Sequence, residues 1–210
     1  MASPQALTEA ERRIVADWAA DCAEHVLPIF EAEAPADDRA RDGIARARAF
    51  ARGELDAAGE IRRRFVAGRA AHSAATAAGA SAARSAAQAA GVAHMGAHAL
   101  GAAAYAARAV GLAEPDRPGV VADEVAWQLA RLPADAREAL RRLPPVGSDS
   151  AGPLGPGLLA GGAHGRIVRE LQASIGSTPV GPNVPLTVVM RSAFSHAISR
   201  EKPSSHDAVR

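Results

Sequence analysis

The side chains in this sequence that could do chemistry are few: seven histidines, one cysteine and some clustered acids. His94 and His98 stand four apart, which places them on one face of a helix, a spacing used by paired metal ligands. No glutamate stands beside His94, and a third ligand would have to come from elsewhere, His72 being the candidate. Half-buried histidines bonded to neighbouring helices, or facing a partner, account for the same residues without a metal. Asp37 and Asp38 are adjacent, with Arg39 and Arg41 close behind. Adjacent carboxylates diverge, so a helix cap and salt bridges fit them better than paired acid–base work. Asp123 and Glu124 fall in the first turn of an expected helix, where the dipole favours acids. Cys22 sits on an apolar stripe in mid-helix. A reactive thiolate needs a histidine or a helix N-terminus beside it, so a core thiol is expected. Gly147-Ser148-Asp149-Ser150 does not match a nucleophile elbow, and no phosphate loop with a lysine is present. No catalytic residue, cofactor motif or metal set stands out.

The elements that must position these residues are helical. Thr8 and Glu11 fit a capping box. Ile14, Trp18, Cys22, Val26 and Ile29 follow at three- and four-residue steps, and Pro28 predicts a kink or stop by Phe30. Asp37 or Asp38 caps a second helix over Arg39–Arg52, which buries Ile44, Ala47 and Ala51 and stops at Gly53. Asp56 opens a third, with Ile61, Phe65 and His72 on one side. The stretch 70–111 is the organising one. It is rich in alanine and nearly free of charge, so it reads as buried all round. Its expected form is two helices, or one long helix broken near Gly79–Ser81 with Ser81 as the cap. Small residues four apart (Ala89, Ala93, Ala97, Gly101) would form a smooth ridge, and such a face could also support a homodimer. A membrane span fits the length but not the composition: Leu, Ile and Phe are scarce, His and Gln are present, and Arg108 has no aromatic belt. After Pro115–Pro118 a helix carries Val121, Val125, Leu129 and Leu132 on one face with Trp127 off it. A short helix over 134–143 ends at Pro144-Pro145.

Beyond Pro145 the composition turns to Gly, Pro and Ser. That change predicts a boundary, with an all-α domain over 7–144 and a mostly irregular tail over 145–210. One short helix over 167–175 and an element over 186–198 are its candidate structures. The fold class expected is all-α, a bundle or array of about six helices around the central Ala/Gly-rich pair.

The 210 residues carry a formal charge of +1, which gives no gross signature for nucleic acid or a membrane surface. Of the 24 basic residues only Lys202 is a lysine, a mark of a high-GC genome. The single cysteine excludes an internal disulfide, and with no signal-peptide pattern at Met1–Thr8 a cytoplasmic bacterial protein is expected. Residues 1–38 hold nine acids and two arginines, whereas 39–69 hold nine arginines and four acids. Either these segments pair across the surface of the protein, or the second presents a basic face to an acidic partner. Arg62-Arg63-Arg64 is too short, and too far from any aromatic platform, to read nucleic acid.

Several segments together resemble a known family. Trp18-Ala19-Ala20-Asp21-Cys22-Ala23-Glu24-His25-Val26-Leu27-Pro28 resembles the opening helix of the Imm5-like family of bacterial immunity proteins. Asp37-Asp38-Arg39-Ala40-Arg41, with Ile44 to Glu54, is similar to the second block of that family, although a Pro commonly stands there at the place of Ala40 and a Trp at that of Phe50. His94 to Tyr105, and Asp123-Glu124 through Trp127-Gln128 to Leu132-Pro133, resemble the third and fourth. The likeness covers about 7–144. It implies an all-α, non-enzymatic protein that binds and neutralises a toxin encoded beside it. The polar residues of these blocks are then the expected partner-binding set: Asp37, Asp38, Arg39, Arg41, Arg48, His94, His98, Asp123 and Glu124, with Trp127. Two other classes remain open: a small-molecule binder whose pocket is lined by His94, His98 and Trp127, and a metal-dependent hydrolase using the histidines with Asp37 or Asp38.

Overall fold

The computed structural model describes residues 3–63 and 66–177. Eight α-helices and no strand occur among them: α1 Glu9–Glu31, α2 Arg39–Ala51, α3 Ala57–Arg63, α4 Ala77–Gly91, α5 His98–Ala113, α6 Val120–Ala130, α7 Ala134–Arg141 and α8 Gly162–Gly176. Short 3-10 helices lie at Ala67–His72 and Leu158–Ala160. The all-α expectation holds, with two more helices than the six expected. No helix among the described residues is long and apolar enough to cross a membrane.

The helix starts follow local chemistry. Thr8 and Glu11 form the expected capping box: the Thr8 hydroxyl accepts from Glu11 N–H, and the Glu11 carboxylate accepts from Thr8 N–H at 2.7 Å. Pro28 sits inside the last turn of α1 and does not stop it before Glu31. Proline there costs the single bond its own N–H would have made to Glu24, while its carbonyl still accepts from Ala32 N–H at 3.1 Å, so the helix runs on to Glu31. Asp38 precedes α2 without a side-chain cap bond; Asp37 accepts from Arg39 N–H instead. Gly53, with φ +80, turns the chain out of α2.

The Ala-rich centre is two helices, but the break is not at Gly79–Ser81. Thr76 caps α4 by accepting from Gly79 N–H at 3.1 Å. Glu33, just past α1, reinforces that start by accepting from the N–H groups of Ala75 and Thr76 at 2.8 and 2.9 Å. Ser81 is inside α4, where its hydroxyl donates to the Tyr105 carbonyl; the Ser85 hydroxyl donates to that of Ala102, each at 2.8 Å. Buried hydroxyls on an alanine surface need such partners, and these two tie α4 to α5 in an antiparallel pair. The chain reverses over 92–97, so the ridge expected from Ala89 through Gly101 is divided between the two helices. α5 is buried on all sides from Ala99 to Ala107. α1 covers the pair, and α2 packs beside it. At Gly43 an added Cβ would come within 2.8 Å of the Ala67 Cβ, so only glycine fits that approach. The smooth faces that could have supported a homodimer are covered by the chain's own helices.

The composition change at Pro145 is not where the compact unit ends; the unit runs to Ser177. α8 buries Ile167, Val168, Leu171 and Ile175 in the common core together with Leu154. The expected short helix over 167–175 lies within α8. The Gly/Pro-rich run before it is held by Gln5, which is fully buried. The Gln5 amide donates to Asp149 Oδ2 at 2.7 Å and to the Ala151 carbonyl at 2.6 Å, and its oxygen accepts from Leu154 N–H at 2.9 Å. Glycine and proline here serve a tight path over the surface rather than an absence of structure. The element expected over 186–198 lies outside the described residues.

Candidate functional site

The sequence-expected site residues fall in three places. The first is the seam between α1 and α2. Arg48 reaches Asp17 at 3.1 Å, Asp21 at 2.8 Å and also Glu24, all on α1. Arg41 pairs with Glu31 at 2.5 Å. Arg39 makes a two-pronged bond to Asp37, at 2.8 and 2.5 Å, and donates to the Ser73 hydroxyl. Those bonds hold the Asp37 carboxyl well below the usual carboxylate range. Of the nine arginines in 39–69, Arg41 and Arg48 thus pair with α1 acids across this seam, while Arg46 pairs with Glu60 and Arg52 with Glu54. Asp38 is exposed beside the seam.

The second place is where α1, α5 and α6 meet. Glu124 and Gln128 lie one turn apart on the buried side of α6, not on its exposed face. The Gln128 amide donates to Glu124 Oε1 at 2.8 Å and to the Ala103 carbonyl of α5 at 3.1 Å. Trp18 of α1 donates its indole N–H to the Gln128 carbonyl at 2.9 Å. The other Glu124 oxygen meets His25 Nδ1 at 2.8 Å. The His25 ring in turn lies flat on Trp127, with centroids 3.7 Å apart and planes 7° apart. The Arg131 guanidinium sits over the Trp127 ring at 4.1 Å from its centroid. Trp127 is half-buried, and it belongs to a recess of about 370 Å³ with Asp123, Arg117 and Glu114. Asp123 is exposed and pairs with Arg117 at 2.9 Å. Three segments that carry the family resemblance, 18–28, 94–105 and 123–133, thus converge on one knot. The chain matches the model of the family described as Imm-5 like putative immunity protein over residues 5–135.

The chain belongs to that family. No curated protein and no solved structure matches it. The family match spans α1 to the first residues of α7, so it contains the whole knot, whereas α8 lies beyond it.

The third place is a cleft of about 740 Å³ beside α4 and α5. His72, His94 and His98 all line it. His94 precedes α5 and His98 opens it, so the pair does not share a helix face; their ring centroids are 6.3 Å apart. His98 Nδ1 lies 2.8 Å from Gln88 Oε1, which makes Nδ1 the protonated nitrogen. Burial, with His94 close by, lowers its pKa to about 4. Among the described residues no group of three or more His, Cys, Asp or Glu side chains could hold a metal ion. Trp127 is not in this cleft but across the fold in the knot, so the expected pocket of His94, His98 and Trp127 is two separate features. Cys22 is fully buried, and burial followed by the charges of Glu124 and Asp21 pushes its thiol up.

Reasoning from sequence missed His25 and Arg131 as the two faces of the Trp127 stack. A signal was present: Glu124 and Gln128, four apart among valines and leucines, needed buried partners. It also missed Gln88 and Tyr105, on α4 and α5, as cleft residues, and Leu158, which comes from a distant part of the chain.

Proposed function

We propose that this chain is an immunity protein that neutralises a protein toxin by binding it, without catalysing a reaction, and that the toxin seats on the Trp127 surface. Family membership supports a protein partner. The observation that carries the site is the His25–Trp127–Arg131 stack, with a buried network beneath it. Tryptophan and arginine are the residues that most often anchor protein interfaces, and an anchor already fixed in one rotamer loses little entropy on binding. Asp123 and Arg117 flank the stack with charges of both signs, which suits selection among partners more than raw affinity. Arg41 and Arg48 act in this reading by holding α2 on α1, and Arg39 by fixing Asp37 and Ser73 at the start of α2. Asp38, exposed at the start of α2, is a second contact.

The test is protection in cells. The full chain is co-expressed with the toxin encoded beside it in the native host, and growth is scored with binding of the purified pair. Trp127→Ala and Arg131→Glu should abolish protection and weaken binding, while their helical circular dichroism stays that of the wild type. Asp38→Ala should give a smaller loss. Full protection by folded Trp127→Ala and Arg131→Glu would remove the proposed surface. Failure of the wild type to bind or protect against that toxin would remove the function.

A further inference from the structure

We infer that the cleft lined by His72, His94 and His98 is a binding site for a small amphipathic carboxylate, one apolar body carrying a single anionic group. The volume of about 740 Å³ is that of a small-molecule site. The wall is built rather than incidental. Residues 152–159 close one side, and the buried Gln5 amide holds that strap through Asp149, Ala151 and Leu154.

The lining sets the ligand chemistry. No Asp or Glu is among its residues, whereas Arg69 supplies a permanent positive charge and His72 and His94 are exposed beside it. Arg69 has no ion-pair partner among the described residues. One permanent cation among the lining residues suits a monoanion better than a polyphosphate. The apolar body has Met95, Leu159, Pro153 and Leu158 to lie against. Leu158 is 65% exposed, the large hydrophobic side chain left most open to water among the described residues. An isolated leucine held out at a cleft margin gains by covering an apolar ligand.

The floor carries a fixed polar pair. His98 donates from Nδ1 to Gln88, which leaves Nε2 as an acceptor for a hydroxyl or amide of the ligand. Two glycines make room for it. A Cβ at Gly91 would come within 3.0 Å of the His98 ring, and one at Gly101 would run into the Gln88 amide. Tyr105 lines the same cleft, its ring against the edge of buried His164.

Octanoate and octylammonium, of equal apolar length and opposite charge, are titrated calorimetrically into the full chain. Octanoate should bind saturably at one site, and octylammonium should bind at least about tenfold more weakly. Arg69→Glu and Leu158→Glu alter exposed residues outside the core. Each should weaken octanoate by about tenfold or more with an unchanged circular dichroism spectrum. Trp127→Ala should bind octanoate as the wild type does, which separates this site from the toxin surface. Absence of saturable octanoate binding, equal affinity for the two amphiphiles, or unaltered binding by both cleft variants would overturn the assignment.

Discussion

Replacing Arg48 with alanine removes the one cation that three α1 carboxylates share. The cost can be worked from their exposure. Asp17 and Glu24 are 62% and 55% exposed, so each pair sits near the low end for surface ion pairs, about 0.3 kcal/mol. Asp21, at 35%, with the Arg48 side chain at 26%, justifies about 1 kcal/mol. Without the arginine, Asp17, Asp21 and Glu24 are left as like charges at helical i,i+4 and i,i+3 spacings, at about 0.2–0.5 kcal/mol each. The expected loss is about 2 kcal/mol, which for a compact unit of this size lowers Tm by roughly 4–8 °C. Urea unfolding followed by circular dichroism reads the loss directly. In about 1 M NaCl, where the Debye length shrinks to about 3 Å, the difference should fall to under about half. Arg48→Lys should lie between, because a point charge cannot bridge three carboxylates at once. A loss below about 0.5 kcal/mol, or one equal in low and high salt, would refute the view that this residue holds α2 on α1 electrostatically.

Three further outcomes follow from the same geometry. Glu124→Ala removes one of the two acceptors of the buried Gln128 amide, which keeps the Ala103 carbonyl, and leaves the partly exposed His25 nitrogen to water, and should destabilise by about 1–3 kcal/mol in chemical unfolding; a loss under about 0.5 kcal/mol would mean the knot is not structural. His98, whose folded pKa of about 4 lies below its unfolded value near 6.5, binds fewer protons folded than unfolded. Its contribution is therefore complete above about pH 6.5 and is lost as pH falls toward 4, by up to about 3 kcal/mol, and His98→Asn should flatten that slope in a pH series of urea melts. Cys22, buried and with its thiol pushed up, should not react with a disulfide reagent at neutral pH until the protein unfolds; labelling of the native state at the rate of a free thiol would contradict its burial.

Much of the fold was legible in one dimension. The capping box at Thr8, the Trp18–Cys22–Val26 stripe and the stop at Gly53 depend on neighbours within a turn or two, and each stands as read. The alanine-rich run announced a buried helix pair for the same reason. What failed were readings that needed a partner from elsewhere. Ser81 has the chemistry of a cap, but Thr76 lies where Glu33 can reinforce it, and the Ser81 hydroxyl goes to Tyr105. His94 and His98 have helical spacing, yet the chain turns between them. Residues 146–161 have the composition of a loose tail, yet one buried glutamine near the N-terminus fastens them through Asp149, Ala151 and Leu154.

The amino-acid sequence by itself determined that the protein is helical, about where α1, α2 and α7 begin and end, and which family it belongs to, because propensity, capping and blockwise likeness are properties of short segments. Only the tertiary structure decided which polar residues are spent inside the molecule and which stay open to water. Arg48 and Arg131 are alike as letters. Packing places one among three α1 carboxylates and the other on an indole face half open to water, because partner choice depends on which distant segments close-packing brings within about 4 Å.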